Sequence, residues 1–273
     1  MAKQMQPLTN PLAFFSDYLS ITGLPHLEPK KSGHPGLVGK KLGLLNGSSW
    51  ISAWSNYFGR IYLPGVQLVD MGSDAIQLNF MRAFAAGEPC PPQENIDRFS
   101  RYAIDLVELA QVQVVMITCS TMNRSYPKVA EALQPYHVPV IQIDLPMMER
   151  AVAIGGKLLI IATHGPTVKS TAKLLQETGA TQGKTVVNKG ILVEEAWHCL
   201  TDGDVQGHNR IIAEAIARQK DEGFTCAVLA QLSMSVFILS HPDPLAEFGM
   251  PVLTSGQCGF EYARDILLDL PVL

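Results

Sequence analysis

The residue best placed to do chemistry in this chain is Cys119, which lies in the stretch Val114–Arg124, VVMITCSTMNR. A β-branched apolar run reads as a buried parallel strand, and the small polar residues Thr118, Ser120 and Thr121 mark where it ends. Pro127, with Val129, Ala130 and Leu133 at helical spacing, predicts a helix over Ser125–Leu133. Cys119 therefore falls at the carboxyl end of a strand, close to a helix N-terminus. Open α/β sheets bind ligands at that edge, and helix N-termini with nearby hydroxyls favour anions and thiolates. The chemistry on offer is a thiolate acting as base or nucleophile. The plain alternative is an inert core thiol, since free cysteine is among the residues most often buried.

Composition narrows the setting. The five cysteines, Cys90, Cys119, Cys199, Cys226 and Cys258, are odd in number and contain no CxxC pair. They support neither a disulfide framework nor a zinc site, and no metal is expected. A net charge of −4 with scattered lysines gives no footing for a nucleic-acid partner. No run reaches the roughly 20 apolar residues of a membrane span, and Met1–Pro7 carries no signal-peptide core. The expectation is a cytoplasmic protein with no membrane partner. At 273 residues, 47% hydrophobic and 17% charged, the chain can bury either one large core or two smaller ones.

The elements that must position Cys119 follow an alternating rhythm. Residues 1–40 read as an N-terminal extension, with a helix or packing arm over Leu8–Ile21 that wraps a lobe or a neighbouring subunit. Strands are expected at Leu42–Leu45, Val66–Asp70, Val114–Ile117 and Val138–Asp144, with helices at Ser52–Phe58 and Ile96–Ala110. The same design then starts again. Lys157–Ala162 is a strand, followed by the loop Thr163–Thr167, a helix over Val168–Thr178 and a strand over Thr185–Val193. The helix Asn209–Glu222 leads to the strand Cys226–Ala230 and the loop Gln231–Ser235. Alternation of this kind implies parallel sheets with right-handed crossovers. We therefore expect an α/β fold of two similar lobes, each a parallel sheet flanked by helices, related by a pseudo-two-fold with the site in the cleft between them. The first lobe would comprise 41–150 plus 250–273, and the second 151–249, on the reading that Pro251–Leu253 and Glu261–Leu268 return to the first.

Three stretches in this frame, Ile117–Thr121 (ITCST), Ala162–Thr167 (ATHGPT) and Val228–Met234 (VLAQLSM), resemble the aspartate/glutamate/hydantoin racemase superfamily across residues 40–270. The resemblance implies an isomerase that uses no cofactor and acts on a small carboxylic or amino acid. Two thiols would work from opposite faces, one removing the proton alpha to the carboxylate and the other returning it. Cys119 would be the first thiol. Ser48, Ser120, Thr121, Thr163 and Thr167 would hold the carboxylate, Asn46 and Asn123 would orient the substrate, and the chain would assemble as a homodimer or higher homo-oligomer. At the second cysteine's place stands Gln231, followed by Ser233. Both are expected to touch substrate, but an amide does not exchange protons at neutral pH. Cys226 precedes Gln231 by five residues, about 16 Å along a strand, and cannot replace it. Cys199, Cys258, His164 and His198 are the other candidate proton donors. Loss of the second thiol opens two alternatives. One is a single-cysteine decarboxylase or cis-trans isomerase of a dicarboxylate, with Arg124 pairing the second carboxylate. The other is a non-catalytic protein that binds small acids.

Overall fold

The computed structural model describes residues 10–22 and 33–271. Eight strands build two parallel sheets: β1 Lys41–Asn46, β2 Gln67–Gly72, β3 Val114–Ile117 and β4 Val140–Gln142 in the first, β5 Lys157–Ala162, β6 Val187–Leu192, β7 Phe224–Leu229 and β8 Val252–Thr254 in the second. Their orders are β2-β1-β3-β4 and β6-β5-β7-β8, so one topology is used twice. The inner strands are the apolar runs of the sequence, and β3 is buried at every position because helices cover both faces of a parallel sheet. The edge strand β6 is largely exposed, which fits its polar and glycine content, Asn188, Lys189 and Gly190.

The lobes exchange their last helices. After β4, the helix Leu145–Ile154 leaves its own sheet and buries Met147, Met148, Ala151 and Val152 against Leu158, Ile160 and Val228 of the second. After β8, the helix Ser255–Asp269 crosses back and buries Phe260, Ala263 and Leu267 with Leu42, Leu44 and Met116 of the first. The sequence placed Pro251–Leu253 in the first lobe, and this is corrected: Val252–Thr254 pairs in register with β7. Only the helix after it returns. The short strand completes the second sheet just as β4 completes the first, and the helix that follows buries its apolar face in the first lobe.

Other boundaries also shift. The helices Asp74–Ala85 and Glu194–Thr201, which the apolar periodicity did not single out, follow β2 and β6. The expected Ser125–Leu133 helix is a 3-10 turn over Ser120–Ser125 that runs into an α-helix over Tyr126–Leu133. The N-terminal arm is a helix, Pro11–Thr22, with no buried residue. Arg60 ties down its end by donating to the carbonyls of Ile21 and Thr22. The turn-rich stretch expected at Leu24–Pro29 lies outside the described residues. Among those described, no helix is long and apolar enough to cross a membrane.

Candidate active site

Each inner strand places one residue two positions beyond its end, in extended backbone and directly ahead of a helix: Ser48 after β1, Cys119 after β3, His164 after β5 and Gln231 after β7. All four line one cavity of about 560 Å³ between the lobes. In each sheet the two inner strands flank the point where the chain reverses its direction of progress, the crevice where such folds bind ligands. The shared topology makes Cys119 the counterpart of Gln231, and Ser48 the counterpart of His164. The side chains of Cys119, His164 and Gln231 do not cap the helices they precede. Helix N-termini at this edge direct partial positive charge toward the cavity, which favours an anion.

Cys119 is 3% exposed. Its Sγ lies 3.1 Å from Thr121 Oγ1. Burial pushes the thiol up from its ordinary value, with Asp144 adding to the rise, while the Thr121 hydroxyl and the backbone amides of Thr121 and Met122 pull the other way. Desolvation outweighs these donors, and the proton stays on sulfur at neutral pH. The sign sets a test. Only the thiolate attacks iodoacetamide. The alkylation rate at Cys119 should climb with pH and still be rising above pH 9, the ordinary value; a plateau near neutrality, read by mass spectrometry, would contradict it.

Gln231 is oriented by its neighbour. Its Oε1 accepts from the Thr163 amide at 2.8 Å and from Thr163 Oγ1 at 3.0 Å, which leaves the side-chain NH₂ as the group to donate onward. Thr163 is accordingly spent on Gln231 and does not line the cavity. Asn46 is also withdrawn. It donates to Asp70 at 2.6 Å and accepts from Ser55 at 2.9 Å and from Thr118 at 2.5 Å, an internal brace of the first lobe. Of the hydroxyls singled out in the sequence, Ser48, Ser120, Thr121, Thr167 and Ser233 do line the cavity.

The candidate proton donors separate clearly. Cys226 and Cys258 sit in the second hydrophobic core, where burial raises them to about 12 and about 11. Cys199 and His198 do not line the cavity, while His164 does. Desolvation lowers the His164 pKa below 6.5, so its imidazole is neutral at pH 7. Arg124 lines not this cavity but a neighbouring one that shares Ser120 and Thr121, and its Nη1 donates to Glu177 at 2.7 Å. Asn123 donates to the buried Asp144 at 2.5 Å, linking the Cys119 loop to the interlobe crossing.

The sequence reasoning missed the cavity's walls. Gln77, Leu78 and Met81 come from the helix Asp74–Ala85, Trp197 and Thr201 from Glu194–Thr201, and Trp50 and Ile51 from Ser49–Tyr62. The signal for the first was present in the Ser73-Asp74 start and the spacing of the buried Ile76, Phe80 and Ala83. Trp50 meets Trp197 across the cleft edge to face, with centroids 5.9 Å apart at 67°.

The sequence model of the Asp/Glu/Hydantoin racemase family matches residues 73–263. No curated protein sequence matches the chain. Among solved structures, an aspartate racemase homologue from Pyrococcus horikoshii OT3 is 16% identical with a TM-score of 0.60, covering 84% of this chain and 99% of that one. Allantoin racemase from Klebsiella pneumoniae is 15% identical with a TM-score of 0.57, covering 86% and 90%. Maleate isomerase Iso from Pseudomonas putida S16 is 14% identical with a TM-score of 0.52, covering 85% and 94%. At these identities the structural likeness speaks for the fold.

Proposed function

This chain belongs to the Asp/Glu/hydantoin racemase family, and on that premise we propose that it is an isomerase that acts on a small carboxylic acid through the Cys119 thiolate, without a cofactor. The observation that carries the reading is the convergence of four strand-end residues, Ser48, Cys119, His164 and Gln231, on one interlobe cavity. The substrate carboxylate binds to hydroxyls and first-turn amides at the strand ends, where the helix N-termini offer partial positive charge. Those donors also stabilise the enolate-like charge that builds as the α-proton leaves. Cys119 removes that proton as a base from the first lobe.

The return of the proton distinguishes this chain. Of the described side chains lining the cavity, Asp74, Cys119 and His164 are titratable. Asp74 already holds the Ser49 amide at 2.8 Å and its hydroxyl at 3.0 Å. His164, from the second lobe, is the group left to serve the opposite face of the substrate. It returns a proton as the imidazolium, the minor form at pH 7 because burial lowers its pKa, and as the neutral ring it accepts one.

Gln231 supports a second reading, a single-cysteine lyase or cis-trans isomerase, because the counterpart of Cys119 is an amide fixed by Thr163. The two are separated in D₂O. Isomerisation by proton transfer places deuterium on the α-carbon of recovered substrate, decarboxylation releases CO₂, and thiol addition to a double bond gives the geometric isomer with no carbon-bound deuterium. Full activity with no α-deuterium would sink the leading reading.

A further inference from the structure

The cleft's walls bear on the substrate class, an inference that rests on the carboxylate-binding reading above. Trp50 and Trp197 arrive from opposite lobes and meet at 5.9 Å. The Trp54 ring lies 5.4 Å from Trp50, and the His164 ring lies 5.9 Å from Trp197. Aromatic rings therefore bridge the two halves of the cavity. Leu78, although 71% exposed, lines the same space together with Met81. Among the described residues no lysine or arginine lines this cavity, and the one carboxylate that does, Asp74, is engaged with Ser49.

We propose that the group attached to the substrate's α-carbon is bulky, apolar and planar, an aryl-type substituent gripped by Trp50 and Trp197, and that dicarboxylates are poor ligands. Two physical facts point the same way. A second carboxylate drawn into this space would lose its water and meet no cation, which is costly. A flat ring would find edge and face partners in the two indoles, a geometry aromatic pairs prefer. The volume of about 560 Å³ has room for a ring system beside the carboxylate.

The test is equilibrium binding of acetate, succinate and phenylacetate to the full chain, followed by tryptophan fluorescence and calorimetry. Phenylacetate should bind at least about tenfold more tightly than acetate or succinate. Trp197→Ala should erase that advantage by weakening phenylacetate at least about tenfold more than acetate, and Trp197→Phe should restore most of it. Succinate binding as tightly as phenylacetate would overturn the inference and leave the carboxylate reading standing. So would equal weakening of acetate and phenylacetate by Trp197→Ala. No binding of any of the three acids would overturn the carboxylate reading itself, and this inference with it. The wild-type preference decides the matter even where a tryptophan variant does not fold.

Discussion

Cys119→Ala is expected to lower kcat/KM for the enzyme's acid by at least about a thousandfold, within the range for loss of a positioned base. Cys119 is the lining thiol, and the residues around it cannot assume its work. Thr121 lies 3.1 Å away but is a hydroxyl that stays protonated at neutral pH. The other cysteines are held in the second core or stand outside the cavity. The substitution removes a single buried atom, so the cost to stability is about 1 kcal/mol and the fold survives to be assayed. The residual wild-type activity has its own signature. The catalytic form is the thiolate, and burial holds the thiol's pKa above its ordinary value. Below that pKa, kcat/KM should rise about tenfold per pH unit, since each unit raises the thiolate fraction tenfold. Turnover by Cys119→Ala within tenfold of wild type, with an unchanged melting temperature, would remove Cys119 from the mechanism.

Much of the frame was legible because it is written in apolar runs. The strands β1, β3, β5 and β7 are nearly continuous buried sequences, and their ends are marked by the first polar residues. Cys119 and Gln231 could be matched across the repeat for that reason, and the structure places them at equivalent turns. What could not be read is where polar side chains spend their hydrogen bonds. Asn46 and Thr163 have the right type and the right strand-end position, yet one braces Asp70 and the other orients Gln231. Nor does sequence show which helix lends its face to which sheet. The second-lobe burial of Met147 and Met148 and the first-lobe burial of Phe260 depend on a crossing that periodicity cannot reveal. The Trp50–Trp197 contact is of the same kind, made by two residues 147 positions apart that only the paired lobes bring together.

Gly47→Ala should cripple the enzyme without touching any ionisable group. A methyl carbon at position 47 would stand 2.5 Å from Cys119 Sγ and 3.2 Å from its Cβ, the first of these inside any real carbon–sulfur contact. Gly47 is buried beside the thiol, and its backbone is outside the left-handed region, so the effect comes from the collision and not from lost conformational freedom. Cys119 must then swing away, giving up Thr121 and its place at the strand end. A shift of about 1 Å in a reacting group can cost roughly a hundredfold, and that loss in kcat is the expected result. Overpacking should also lower stability by about 1 to 3 kcal/mol. The cause can be isolated with the double variant, since Cys119→Ala removes the struck atom. Gly47→Ala should destabilise the wild-type chain more than it destabilises Cys119→Ala, a coupling between touching residues that a double-mutant cycle measures. Additive melting shifts, or a Gly47→Ala enzyme with wild-type kcat and alkylation rate, would show that glycine is not what makes room for the sulfur.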